Sequence, residues 1–345
     1  MVNVNDIKIF IDPTSKSYYK NRLFDEKNNN LNRDNCLLPF IYLKKFLESK
    51  GYSVFTADYL SNGSESEKLN IYISLGVVKN YRKLALKRNV ILNSFFIFEP
   101  LVVAPELYKN IKRISTFFKN IFLHNTSDEL SEYIDKTKNI HKFYWPQTEN
   151  SVIESLWGNK KRKFLTLINA NKKPVLAKKE LYRERIRAIE FFSQYNDFDL
   201  YGYGWRKHIL YWPYLLNRKS ILKCYKGSIK SKYEMLAQYN FALCFENMIF
   251  EGYVTEKIFD CFFTGTIPVY LGAPDITNYV PKECFIDMRE FSDYSNLREY
   301  LQSLTENEIQ QYRENARIYL SSEKYKLFTK ESFAKVILDV IEKDV

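Results

Sequence analysis

The sequence predicts an α/β protein built as two Rossmann-like domains facing a cleft. Three observations carry this expectation. Short apolar runs of strand length alternate with amphipathic, helix-length segments along most of the chain. The alternation lapses once, near the middle, in a turn-rich basic stretch. And 345 residues are long for a single hydrophobic core.

The elements follow in order. Residues 7–11 read as a first strand, and 37–49 have helical spacing that stops at Gly51. Residues 70–76, 90–98 and 121–124 read as further buried strands, and 61–68 (SNGSESEK) as a polar loop. Periodicity lapses over 145–163, WPQTENSVIESLWGNKKRK, which places the boundary between an N-terminal domain, 1–150, and a second domain, 151–325. The second series is strand 164–168, helix 177–195, strand 199–203, helix 230–239, strand 241–245, helix 255–263, strand 266–271 and a short strand near Phe285. The remainder is helical over 297–304, 306–319 and 331–343. Residues 326–345 are set apart as a C-terminal helix of the kind that packs back across a domain interface.

Composition narrows the function classes. Hydrophobic residues make up 46% of the chain and aromatics 17%, which suits packed cores and argues against disorder. A formal net charge of +11 suits anionic partners (nucleotide diphosphates, anionic lipid headgroups or nucleic acid), or serves solubility alone. Five scattered cysteines, Cys36, Cys224, Cys244, Cys261 and Cys284, form neither a disulfide framework nor a zinc spacing, as in a reducing compartment. The N-terminus, MVNVNDIKIFIDP, is not a signal peptide, and no window approaches 18 uninterrupted apolar residues. A cytoplasmic protein is expected, with peripheral attachment at the inner face of an anionic membrane as a further option. His124, His141 and His208 show no ligand spacing. Asp197-Phe198-Asp199 spells D-x-D but precedes a strand, so it reads as a turn.

Residues 245–274, FENMIFEGYVTEKIFDCFFTGTIPVYLGAP, hold the densest chemistry. They read as a strand end, a glycine-bearing loop, an amphipathic helix and a second buried strand. Glu246, Asn247, Tyr253, Glu256 and Lys257 surround the helix start, where free N–H groups and a positive dipole end welcome a phosphate. Carboxylates there can hold sugar hydroxyls, and a lysine can neutralise a diphosphate. The plain structural reading stands beside this. Thr255 and Glu256 would cap the helix, worth about 1 kcal/mol, and Glu246-Asn247 would be a turn.

This run resembles the signature of the α-1,3/4-fucosyltransferases, the family-10 glycosyltransferases. That signature reads F-E-N, a loop, G-Y-[VI]-T-E-K-[IL]-x-[DN], an apolar stretch, then G-[TA]-[IV]-P-[IV]-Y-x-G. Met248, Ile249 and Phe250 depart from it, being more apolar than usual. The resemblance implies a GT-B fold and an inverting transfer of L-fucose from GDP-β-L-fucose to a hydroxyl of N-acetylglucosamine or glucose. The acceptor would be an oligosaccharide of a surface glycan. It also implies that Glu256 holds the ribose, that Lys257 holds the diphosphate, and that Tyr253 belongs to the donor site. An arginine near the start of helix 177–195 clamps the diphosphate in the family; here Lys178 or Arg185 stands for it. Asn169 and Asn171, in the loop after the first donor-domain strand, approach the nucleotide. No cofactor or metal is required, Mn²⁺ or Mg²⁺ being at most stimulatory.

Glu99, in SFFIFEPLVVAPELY, corresponds to the family's general base, with Glu106 as the fallback. Such a base removes the acceptor hydroxyl proton, and partial burial tunes a carboxyl for it. The plain alternative is a satisfied loop glutamate. A rival from another class rests on the segment 200–233, basic and aromatic without one acidic residue, in which 207–222 looks like an insertion. It would be a non-catalytic binder of anionic glycans, membranes or nucleic acid. A nearer rival is a relative using another sugar nucleotide.

Overall fold

The computed structural model describes residues 4–60, 68–135, 139–159, 161–175, 178–206 and 217–345. The chain forms two compact units, Met1–Thr148 with Leu327–Val345, and Glu149–Lys326. Each holds one six-stranded sheet, and every strand pairing is parallel.

In the first unit the strands are β1 (Ile7–Asp12), β2 (Ser53–Thr56), β3 (Leu69–Ser74), β4 (Val90–Ile97), β5 (Asn120–Leu123) and β6 (Ile140–Lys142). Their order is β2-β1-β3-β4-β5-β6. The central strands are apolar on both faces because helices cover both; Ile9, Ile11, Ile71, Ile73 and Phe96 have no exposed surface. The final helix, Lys330–Asp344, belongs to this unit rather than standing apart. It buries Phe333, Ala334, Ile337 and Ile341, and Phe333 meets Phe40 and Phe96 edge-on. The amides of Asn93 and Asn120 donate to the Asp344 carboxylate at 2.6 and 3.1 Å.

The second unit contains β7 (Lys163–Ile168), β8 (Phe198–Tyr201), β9 (Tyr225–Gly227), β10 (Tyr239–Phe245), β11 (Ile267–Leu271) and β12 (Ile286–Asp287). The order is β12-β11-β10-β7-β8-β9. Helix Glu256–Thr264 ends at Gly265, whose left-handed φ of 70° suits glycine. Arg162 donates to the carbonyl oxygens of Thr264 and Leu156 at 3.0 and 3.1 Å, gathering two helix ends. Both D-x-D carboxylates are engaged. Asp197 receives a bidentate pair from Arg298 at 2.9 and 2.6 Å. Asp199 receives Tyr239 Oη at 2.6 Å and Lys163 Nζ at 3.0 Å.

Two differences from the sequence reading bear on the site. Strands β2, β6 and β9 were not expected; they are short and their pairing is set by neighbours. The helix expected over 177–195 is Tyr182–Phe192, so Lys178 lies in the preceding loop. Residues 207–216 of the insertion, with its WPYLL core and His208, and residues 61–67 lie outside the described residues. Among the described residues no helix is long and apolar enough to cross a membrane.

Candidate active site

In the second unit the chain runs outward through β7, β8 and β9, then restarts at β10 on the other flank of β7 and runs through β11 and β12. The sheet order therefore reverses between β7 and β10. Ligands of open α/β sheets bind outside the carboxyl ends of the strands at such a reversal. Ile168 ends β7 and Phe245 ends β10, so Asn169 follows the first and Glu246-Asn247 the second.

Glu246 has no exposed surface. Its Oε1 accepts from the Thr255 N–H and hydroxyl, both at 2.9 Å, and its Oε2 accepts from Lys257 Nζ at 2.9 Å. Lys257 Nζ also donates to Thr255 Oγ1 at 2.9 Å and stands 3.7 Å from Glu256 Oε1. Glu246, expected to hold the donor, is instead the buried clasp that fixes the helix start to the strand end. Thr255 turns its hydroxyl to Glu246 and makes no cap to its own helix, unlike the capping pair the sequence suggested.

Gly272 closes the family pattern for a packing reason. A Cβ there would lie 2.5 Å from Glu246 Cγ and 2.6 Å from the Tyr270 hydroxyl. Neither neighbour has room to retreat, both being fully buried. Gly272→Ala is therefore expected to cost about 1–3 kcal/mol and to weaken nucleotide binding by displacing the clasp; thermal melting and a GDP titration check both parts.

Arg185, on helix Tyr182–Phe192, is buried against the Tyr182 ring. Its Nη2 donates to the carbonyl oxygens of Phe245 and Glu246 at 2.7 and 2.6 Å and to Asn247 Oδ1 at 3.2 Å. Asn247 Nδ2 in turn donates to the Tyr253 hydroxyl at 3.3 Å, and Tyr253 is also buried. These three residues hold the loop in shape. Lys178 is exposed, in the loop before that helix. The backbone just after it is fixed: the Ile249 N–H donates to Lys179 O at 2.8 Å and the Leu181 N–H to Asn247 O at 3.0 Å. The unusually apolar Met248 and Phe250 are buried, so their departure from the pattern is a packing matter.

The charged groups of the cluster that reach the surface are Glu256 and Lys257, with side-chain exposures of 36% and 17%. Burial disfavours the charge on Glu256, but Lys257, Lys232 and the helix-start N–H hold its carboxyl down to about 2. Burial likewise opposes the Lys257 charge, yet Glu246 and Glu256 raise its ammonium above the ordinary lysine value. A carboxylate and an ammonium, both ionised at neutral pH, thus sit at the positive end of a helix. That arrangement can take a diphosphate on the cation and a hydroxyl on the carboxylate.

The structure thus gathers Arg185, Glu246, Asn247, Tyr253, Glu256 and Lys257, with Asn169 just past the end of the adjacent strand. Glu99 belongs to the other unit, half-buried just past β4, and its carbonyl oxygen accepts from the Tyr108 hydroxyl at 3.1 Å. Glu106 is exposed and paired with Lys109 at 2.8 Å. Sequence reasoning missed Gly272 and the bridging role of Thr255. Both stand within the motif, but only the fold brings them to the partner they share, Glu246, which follows β10 while Gly272 follows neighbouring β11 and Thr255 precedes the helix between them. Among the described residues no cluster of three or more His, Cys, Asp or Glu side chains is placed to hold a metal ion.

Comparison with known proteins bears on the fold and the family. An alpha-(1,3)-fucosyltransferase of Helicobacter pylori is 40% identical over 77 residues, which is 22% of this chain and only 16% of that protein. A crystal structure of an α1,3-fucosyltransferase with GDP superposes with a TM-score of 0.51 at 16% identity, over 100% of this chain and 93% of its own. The HepE protein of Anabaena in complex with UDP-glucose gives 0.59 at 11% identity, over 97% and 99%. At such identities these structures attest the fold, that of the GT-B glycosyltransferases. The model of glycosyltransferase family 10 (fucosyltransferase), C-terminal part, matches residues 157–333, just over half of the chain. The chain belongs to glycosyltransferase family 10, the fucosyltransferases.

Proposed function

We propose that the protein transfers L-fucose from GDP-β-L-fucose to a hydroxyl of an N-acetylglucosamine or glucose unit in a glycan, with inversion at the sugar C1. The observation that carries the reading is the Lys257–Glu256 pair at the start of helix Glu256–Thr264, locked there by buried Glu246. Lys257 and the helix end stabilise the departing GDP, on which negative charge accumulates. Glu256 accepts from the ribose hydroxyls. Arg185, Asn247 and Tyr253 position this loop from beneath; Asn169 flanks the nucleotide, and exposed Lys178 adds cationic charge nearby. Glu99 takes the proton from the attacking hydroxyl. In this reading no metal enters the reaction, since fixed cations do the work of charge neutralisation.

Calorimetric titration with GDP, GDP-fucose, GDP-mannose and UDP-galactose, with and without Mn²⁺, tests it. Selective binding of GDP and GDP-fucose, unaffected by Mn²⁺, is the expected result. Tighter binding of a UDP-sugar would overturn the fucose assignment while keeping a transferase. Binding of none would favour a non-catalytic surface binder.

A further inference from the structure

Strand β12 closes one edge of the second sheet, and the donor chemistry above makes no use of it. A cavity of about 570 Å³ lies against this edge, within the size range of small-molecule sites. Phe285 and Ile286, both buried, form its floor. The half-buried rings of Phe291, Tyr300 and Tyr312 form its walls, carried by the segment after β12 and by helices Tyr294–Ser303 and Glu306–Leu320. Exposed Lys282, Glu283 and Glu290 complete the lining, and Lys282 is paired with Glu290.

The lining favours a neutral, hydroxyl-rich ligand. It carries two carboxylates and one ammonium, in a chain whose net charge is +11. An anion gains nothing there, and a wholly apolar ligand would cover polar groups without pairing them. The Tyr300 and Tyr312 hydroxyls lie 2.9 Å apart. One donates to the other, so the accepting hydroxyl keeps its own hydrogen to give away. Burial and the bond to Tyr300 raise Tyr312 above the ordinary tyrosine value, so that hydrogen stays in place. The Phe291 and Tyr300 ring centroids are 5.3 Å apart, which sets an aromatic surface beside the hydroxyl pair. A pyranose presents the matching surface, a C–H face that packs on an aromatic ring within a rim of hydroxyls that donate and accept. The edge is also tied to the donor loop. Arg289 Nε and Nη2 donate to the Asp287 carboxylate at 2.9 and 2.6 Å, and its Nη1 donates to Pro274 O at 2.9 Å. The Gly252 N–H, one residue before Tyr253, donates to Asp275 Oδ1 at 2.8 Å.

We propose that the cavity beside β12 is a second saccharide subsite, which holds a sugar of the acceptor glycan other than the one receiving fucose. The inference rests on the glycan-acceptor reading and deepens it. A long glycan tethered to the unit that carries the donor cluster presents its other hydroxyls at a raised local concentration. Chains of several sugars are then better substrates than single sugars.

The test titrates chitotetraose and cellotetraose, neutral oligomers of the two proposed acceptor sugars, into the full chain as wild type, Phe291→Ala and Tyr312→Phe. Wild type is expected to bind at least one of them. Each variant is expected to weaken that binding about fivefold and to leave GDP affinity within about twofold of wild type. With GDP-fucose present, the KM for the tetrasaccharide should rise by the same factor while kcat holds. Tetrasaccharide binding that survives both substitutions, or GDP affinity that falls in parallel, overturns the inference. So does a wild-type chain that binds GDP and neither tetrasaccharide. Self-association of the wild type that Phe291→Ala abolishes would give the cavity to a second copy of the chain and overturn it too. A chain that binds a tetrasaccharide in this variant-sensitive way but no GDP keeps the subsite and overturns the donor-site reading. Should Phe291→Ala fail to fold, Tyr312→Phe decides, because it removes one oxygen and leaves the ring in place.

Discussion

Lys257→Ala is expected to lower the rate of fucosyl transfer by about 10²–10³, with GDP affinity falling alongside. Nζ stands beside the helix start, 2.9 Å from Thr255 Oγ1, and leaving-group charge builds up in the transition state, so losing it costs more there than in the ground state. The same substitution carries a structural penalty that must be separated. Glu246 has no exposed surface and takes its Oε2 partner from Lys257 at 2.9 Å. Removing one member of a buried ion pair typically costs about 3–5 kcal/mol, so the single variant should also melt early. Adding Glu246→Gln relieves the buried charge and keeps an oxygen for the Thr255 N–H, which sits 2.9 Å away. The double variant should recover most of the lost stability and none of the lost activity. Recovery of both would reduce Lys257 to a structural counter-ion and sink its assignment to the diphosphate.

The contrast between Lys257 and Arg185 shows what a sequence reading reaches and where it stops. Glu256 and Lys257 were legible because their neighbours lie within a dozen residues, on one strand–loop–helix unit. Arg185 was legible as a cation near the right place, but not as a buried one. Its partners are Phe245, Glu246 and Asn247, some 60 positions on, and nothing local in YRERIR separates it from exposed Arg183 and Arg187. Lys178 was placed on a helix by propensity; the loop instead commits the backbone of 179–181 to residues 247–249, and tertiary pairing overrides propensity. The central strands β1, β4 and β10 were plain because burial on both faces makes them continuously apolar. Strands β2, β6 and β9 were not, since three or four residues at or near a sheet edge carry no periodic signal. The C-terminal helix was found, but its home was not: the apolar face that seats it against Phe40 and Phe96 would fit either core.

Glu99→Gln is expected to reduce kcat by about 10²–10⁴ while GDP affinity stays at the wild-type level. An acceptor hydroxyl is too weakly acidic to attack C1 without a base, so removing the carboxylate should touch the chemical step and little else. Glu99 lies in the unit that does not carry the Lys257 cluster, which is why donor binding should be spared. The backbone there is fixed, because the buried Tyr108 hydroxyl donates to Glu99 O at 3.1 Å. Burial, and then the Glu99 charge, push that hydroxyl well above the ordinary tyrosine value, so the carboxylate and the phenol are electrostatic neighbours and Tyr108 stays protonated. Glu106 offers the internal control: exposed and already paired with Lys109, it should tolerate Glu106→Gln within about twofold. A base also leaves a mark in pH, since kcat/KM should fall on the acid side as the carboxyl takes up its proton, and Glu99→Gln should flatten that limb. If the acid limb survives in Glu99→Gln and vanishes in Glu106→Gln, the base is Glu106 in the first turn of helix Pro105–Ile114, and the loop after β4 serves only to shape the acceptor side.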